Sequence, residues 1–144
     1  MKKVWMSIAV LALVGITYLG LKPILFPRME GSKTIELKMV LDNTDVLFEE
    51  SVQTDALTLG ELIEEVDAFY EEISVEYSGS KTDAYGRMLL AINEHKTLDM
   101  STGPWWLVES DNNPDCLAAG YCNGIDLQSI YDLDHFTLNF TSSY

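Results

Sequence analysis

Residues 58–70 read TLGELIEEVDAFY and carry the strongest local structural signal in the chain. Thr58 and Glu61 match a capping box, in which the side chain of each residue bonds the backbone N–H of the other at the start of a helix. Apolar side chains then recur at helical spacing: Leu59, Leu62, Ile63 and Val66. The pattern predicts a helix from Leu59 to about Tyr70.

A hairpin is predicted ahead of this helix. Thr34–Leu41 alternates loosely between apolar and polar residues, which is typical of a strand. Asp42–Asp45 is a cluster of turn-forming residues, and Val46–Val52 has the composition of a returning strand.

Strand patterns also follow the helix, in residues 73–77, Arg87–Asn93, Trp105–Glu109 and Phe136–Phe140. The second is apolar on both faces and is predicted to be buried. Between the last two lies the longest irregular stretch, Ser110–Ile125. Two strands, one helix and further strands predict an α+β fold, a β-grasp-like mixed sheet with one covering helix.

The first thirty residues differ in character from the rest of the chain. Val4–Leu21 is eighteen residues without a charge, bracketed by lysines, and a helix of that length spans roughly 27 Å. We therefore expect a transmembrane helix over residues 4–21. A cleaved secretory signal is the alternative, but no Ala-x-Ala pattern follows the apolar run. Residues 1–30 are predicted to be an anchor or signal with a spacer, and residues 31–144 a single domain.

The charge of the chain limits its partners. The formal net charge is −14, and from Glu30 onward five basic residues stand against 23 acidic ones, which is a net charge of −18. Such a surface repels phosphate backbones, so nucleic acid is not expected as a partner. Solubility of an exposed domain explains the charge, and a cationic partner or loosely held Ca²⁺ is the alternative.

Cys116 and Cys122 are the two cysteines of the chain and enclose five residues. In an oxidising compartment they can close a seven-residue ring, and two free thiols are the alternative. A zinc site is less favoured, because neither His95 nor His135 lies at ligand spacing from them. Together with the apolar segment, the pair favours a domain on the extracytoplasmic side of a cell membrane, or a secreted domain if the segment is cleaved.

Four short motifs occur in a characteristic order: Thr58–Leu62, Tyr85-Gly86 ahead of a strand that ends Ile92-Asn93, Gly103–Trp106, and Phe136–Phe140. In this order they resemble a bacterial family of unknown function that is similar to the C-terminal domain of the vitamin B12 carriers transcobalamin and intrinsic factor. The resemblance spans about Lys33 to Phe140. It implies a β-grasp-like fold, secretion or surface anchoring, and no established catalysis.

The chain departs from that family at two places. Asp111–Asp115 leads into a longer cysteine-bearing loop where family members often have an Asn-Gly hairpin, and Leu133-Asp134 stands where Gly-Asp is usual. In the B12 carriers a second, helical domain holds most of the ligand, and these 144 residues contain no sequence for one. Cobalamin binding is therefore only a remote expectation.

The patterns that would carry catalysis or metal binding are weak. His95 and His135 are forty residues apart, and no nucleophile motif accompanies them. Asp111, Asn113 and Asp115 begin a calcium-loop pattern, which then fails because Cys116 and Cys122 replace its Gly and Glu. We predict a polar turn there, no catalytic residues, no metal ligands and no cofactor.

Aromatic residues give the best candidate site. Trp105 and Trp106 are adjacent on a predicted strand and should point to opposite faces. Packing explains both, and the alternative is that they form a ligand-binding patch with Tyr85 and Tyr121, beside the cysteine loop. The sequence predicts a membrane-anchored, non-enzymatic binding module for an unknown small molecule or surface protein. The alternatives are an accessory subunit of a membrane complex or transporter and, remotely, a cobalamin-binding surface protein.

Overall fold

The computed structural model describes residues 28–143. The predicted anchor, residues 4–21, lies outside this range. The alternative of an accessory subunit depends on the same segment and is therefore not addressed by the described residues. No helix among the described residues is long and apolar enough to cross a membrane.

The described chain is a mixture of strands and short helices, and the predicted α+β class is confirmed. In chain order the elements are β1 Lys33–Leu41, β2 Asp45–Thr54, α1 Leu59–Phe69, β3 Val75–Ser78, β4 Met88–Ile92, β5 His95–Lys96, β6 Trp105–Glu109, α2 Pro114–Ala119 and β7 His135–Thr141.

The strands form two sheets rather than one mixed sheet. The larger sheet has the order β2-β1-β7-β6, and the smaller has the order β3-β4-β5. In the larger sheet β1 pairs antiparallel with β2 and parallel with β7, and β7 pairs antiparallel with β6. The parallel β1–β7 pair therefore lies at the centre, and β6 forms an edge.

Helix α1 begins and ends as its sequence predicts. Thr58 accepts a hydrogen bond from the Glu61 backbone N–H, and the Glu61 side chain accepts from the Thr58 backbone, so the capping box is present. The four predicted apolar residues of the helix are all fully buried, in one core with the inward side chains of β1 and β7. Those strand residues are Ile35, Leu37, Met39, Phe136 and Leu138.

The loop before β7 covers the N-terminus of α1. The Leu59 backbone N–H donates to the Gln128 carbonyl at 2.9 Å, and the Gly60 N–H donates to the Ile125 carbonyl at 2.8 Å. These bonds satisfy N–H groups that the first turn of a helix leaves without intrahelical partners. The loop is thereby fixed to the main core.

One prediction about local structure is wrong. Ser110–Ile125 is not wholly irregular, because it contains α2, so the domain has two helices rather than one. Asn113 caps α2, Pro114 occupies its first turn, and Gly120 ends it with a left-handed φ of 81°. Strand β4 is buried at Leu89, Ala91 and Ile92, as predicted, whereas Met88 at its start is 49% exposed.

Candidate functional site

An open groove of about 710 Å³ lies beside β6, an edge strand of the larger sheet. All five residues of β6 line it, although neighbouring side chains on a strand point to opposite faces. A cavity that touches five consecutive strand residues follows the strand's edge rather than one of its faces. Its other walls are the start of β4 with Tyr85, and the disulfide-bearing segment from Cys116 to Ile125.

The four predicted ligand-binding residues all line this groove. The two tryptophans come from β6, whereas Tyr85 precedes β4 and Tyr121 follows α2. Tyr85 and Tyr121 are 83% and 68% exposed, so they stand at the rim. The structure thus brings the four residues together, and their role in binding stays a prediction.

The two tryptophans are held in place by polar and aromatic contacts. The Trp106 ring is only 7% exposed and stacks on Phe140 with a centroid separation of 5.0 Å. Its indole N–H donates to the His95 carbonyl at 2.9 Å, and that of Trp105 donates to the Met100 carbonyl, also at 2.9 Å. Both indole N–H groups are therefore used within the protein. Trp105, which is partly exposed, presents ring surface to the groove, whereas Trp106 belongs to the core and forms the floor beneath it.

Further apolar side chains of the groove were not singled out from the sequence. Twelve large hydrophobic residues of the described chain are exposed, and five of them line this groove. Beyond the two tyrosines these are Met88, Met100 and Leu117. Clustering of exposed apolar side chains in one concavity is typical of a binding surface. Sequence patterns do not reveal such a cluster, because its members come from separate segments.

The disulfide predicted between Cys116 and Cys122 is confirmed. It ties α2 to the residues that follow it, and both cysteines line the groove. The bridge therefore restrains the groove wall that carries Leu117 and Tyr121.

A buried polar cluster holds the same wall from behind. Asn113 is fully buried, and its Oδ1 accepts bonds from the Cys116 backbone N–H at 3.1 Å and from Gln128 Nε2 at 3.0 Å. Its Nδ2 donates to Asp134 Oδ2 at 2.6 Å, and Asp134 Oδ2 also accepts from the Tyr131 N–H. Because these buried groups satisfy one another, the wall is pinned to the segment leading into β7.

The opposite wall is fixed by an ion pair. Arg87 donates to Asp126 from Nη2 at 2.7 Å and from Nε at 3.0 Å, and from Nη1 to Glu64 at 2.6 Å. Its guanidinium also lies 4.3 Å from the centroid of the Tyr77 ring. The side-chain hydrogen bonds from Arg87 lower the pKa of Asp126, so the pair stays charged. Arg87 is neutralised by protein carboxylates and does not offer an unpaired cation to the groove.

Asp126 also explains two glycines in the motifs that carry the family resemblance. A Cβ at Gly60 would collide with Asp126 Oδ1, and one at Gly86 would lie 2.7 Å from Asp126 Cβ. Gly86 also has a left-handed φ of 69°. The Thr58–Leu62 and Tyr85-Gly86 motifs therefore meet at this carboxylate, although they are far apart in sequence.

The groups considered for metal or acid–base chemistry do not converge. Asp111 contacts His135 at 3.2 Å, Asn113 faces inward, and Asp115 accepts a bond from the Tyr131 hydroxyl at 3.0 Å. His95 instead lies near Glu94, at 3.5 Å. Within residues 28–143 no group of three or more His, Cys, Asp or Glu side chains could hold a metal ion.

Comparison with known proteins gives a structural likeness. No family model matches the chain, and no curated protein sequence is significantly similar to it. A crystal structure of a protein from Ruminococcus gnavus, described as a "putative metal binding protein", is similar with a TM-score of 0.54 and 21% sequence identity. The match covers 78% of this chain and 100% of the other. At that identity the likeness shows a shared fold.

Proposed function

We propose that this protein is a non-enzymatic binding module whose site is the groove along β6. The observation that carries the proposal is the convergence of Tyr85, Trp105, Trp106 and Tyr121 on one groove. The groove volume of about 710 Å³ falls within the usual range for small-ligand sites, roughly 300–1,000 Å³. Since its lining is mainly aromatic and aliphatic, the ligand has a substantial apolar part.

The rigidity of the walls supports the same function. One wall is restrained by the disulfide and by buried Asn113, and the other by the Arg87–Asp126 pair. A preformed groove binds with less loss of conformational entropy than one that must order on binding. Binding sites commonly lie on loops that a rigid scaffold positions in this way.

The proposal includes the fold relationship of the domain and its location in the cell. The central parallel β1–β7 pair, the β1–β2 hairpin and the packed helix α1 support a β-grasp-like relationship to the transcobalamin-type domain. The disulfide supports an oxidising, extracytoplasmic location, with residues 4–21 as the anchor. The metal binding ascribed to the R. gnavus protein is not carried over, because the described residues offer no cluster of ligands for it.

Titration of the full chain with indole tests the groove as a binding site. We expect saturable NMR shifts of backbone amides confined to residues that line the groove. Leu117→Glu should weaken indole binding at least tenfold, because it places a charge on an apolar wall. Leu57→Glu is the matched control, since Leu57 is 69% exposed, Leu117 is 60% exposed, and Leu57 does not line the groove. Shifts scattered over the domain, or equal weakening by both variants, would refute the proposal.

A further inference from the structure

The edge of β6 offers backbone hydrogen-bonding groups along the groove. β6 pairs with β7 on one side and is the last strand of its sheet. From Trp106 to Glu109, β7 is the only segment among residues 28–143 that forms backbone hydrogen bonds with this strand. In an antiparallel pair, alternate residues direct their N–H and C=O groups away from the partner strand. Within this stretch those groups face the groove.

The length of the edge fits a short extended peptide. The four residues Trp106–Glu109 of antiparallel strand span about 14 Å at about 3.4 Å per residue. An exposed strand edge is a template for another strand, and peptide recognition by strand addition uses such an edge with neighbouring side-chain pockets. Here the apolar walls that carry Met88 and Leu117 flank the edge.

Charge complementarity specifies the side chains of the peptide. Glu109 is exposed at the groove and has no ion-pair partner among the described residues. Arg87, the cation that lines the groove, is already paired with Asp126 and Glu64. The chain from Glu30 onward carries a net charge of −18, which attracts cations and repels anions over about one Debye length.

We infer that the groove binds an extended peptide segment with alternating apolar and basic side chains, which pairs with the outer edge of β6 at Leu107–Glu109. This inference rests on the proposed function and names the ligand class of the same groove. Backbone pairing with Leu107–Glu109 holds the peptide, the walls accept its apolar side chains, and Glu109 faces a lysine or arginine.

A capped seven-residue peptide in which lysine and valine alternate is the first probe, added to the full chain. We expect it to shift the amide signals of Leu107, Val108 and Glu109 and to slow hydrogen exchange at this edge at least tenfold. A matched peptide with glutamate in place of lysine should bind at least tenfold more weakly. Equal binding of the two peptides would overturn the predicted charge preference.

Backbone pairing is tested by two N-methylated isomers of the lysine–valine peptide, methylated on opposite alternate sets of amides. An added strand uses only one set for pairing. We expect the affinities of the isomers to differ by at least tenfold, and equal affinities would overturn strand addition. If indole binds in the groove but the peptide does not, this inference fails and the proposed function stands. If indole does not bind there, the proposed function itself fails.

Discussion

Replacement of Asp126 by asparagine should destabilise the domain strongly. The carboxylate accepts three bonds from Arg87, two from the guanidinium and one from the backbone N–H at 2.7 Å. The two side chains are only 10% and 9% exposed. Asparagine keeps the shape but removes the charge, and its amide group offers donors towards the donors of Arg87.

The loss of stability depends on the ion pair with Glu64 that Arg87 keeps in the variant. Removing one partner of a buried ion pair costs about 3–5 kcal/mol. Because Glu64 still pairs with Arg87 at 2.6 Å, we expect the lower end, about 3 kcal/mol in the free energy of unfolding. For a domain of this size that loss lowers Tm by roughly 10–15 °C.

Thermal and urea unfolding of the full chain, followed by circular dichroism, measures this loss. Glu76→Gln is the control, since the Lys96–Glu76 pair is exposed and should contribute less than about 1 kcal/mol. If Asp126→Asn lost no more stability than the control, the ion pair would not hold the groove wall and the reasoning would be refuted.

The same variant has a predicted pH signature. Hydrogen bonds from Arg87 lower the folded-state pKa of Asp126 below its ordinary value of 3.8. Its contribution is therefore present above pH 3.8 and is lost as the pH falls through the lower folded-state pKa. Stability of the unaltered chain should fall more steeply below about pH 4 than that of Asp126→Asn. Parallel curves would contradict the assignment.

Two further predictions concern the groove walls. Gly86→Ala should lower the free energy of unfolding by about 2 kcal/mol or more, because it forces alanine into a left-handed conformation and against Asp126. Gly120→Ala is the control, since its added Cβ meets open space, and it should lower that free energy by about 1 kcal/mol. Urea unfolding compares the two, and equal losses would show that contact with Asp126 is unimportant. Replacing Cys116 and Cys122 together by serine should lower the free energy of unfolding by about 2.4 kcal/mol, because the seven-residue ring no longer restricts the unfolded chain. Unfolding with and without reductant measures it, and a variant as stable as the reduced native chain confirms that the bridge is the cause.

The elements predicted most accurately were those with strong local signals. The hairpin, helix α1 and the last strand were placed within about two residues of their observed bounds, and the predicted bounds of β6, Trp105–Glu109, are the observed ones, whereas the two-residue strand β5 was not predicted. Helix α2 was missed although Asn113, Pro114 and Gly120 are all capping signals, because a six-residue helix has too few turns to show a periodic apolar face.

The site was predicted only in part. Trp105, Trp106, Tyr85 and Tyr121 were singled out for aromatic character beside a cysteine loop, and all line the groove. Met88, Met100 and Leu117 were missed, because a solvent-exposed apolar residue has the same letter as a buried one. The exposure of a side chain depends on which other segments pack against it. A sequence pattern does not contain that information.

The sequence by itself determined the α+β class, the capped helix, the position of every strand except the two-residue β5, and the acidity of the domain. These follow from interactions within a few residues, such as capping and apolar alternation, or from composition. Only the tertiary structure decided that the strands divide into two sheets, that Asp126 joins the segments around Gly60 and Gly86, and that a groove opens along β6. Those features depend on contacts between residues dozens of positions apart, whose pairing is fixed by packing of the whole core.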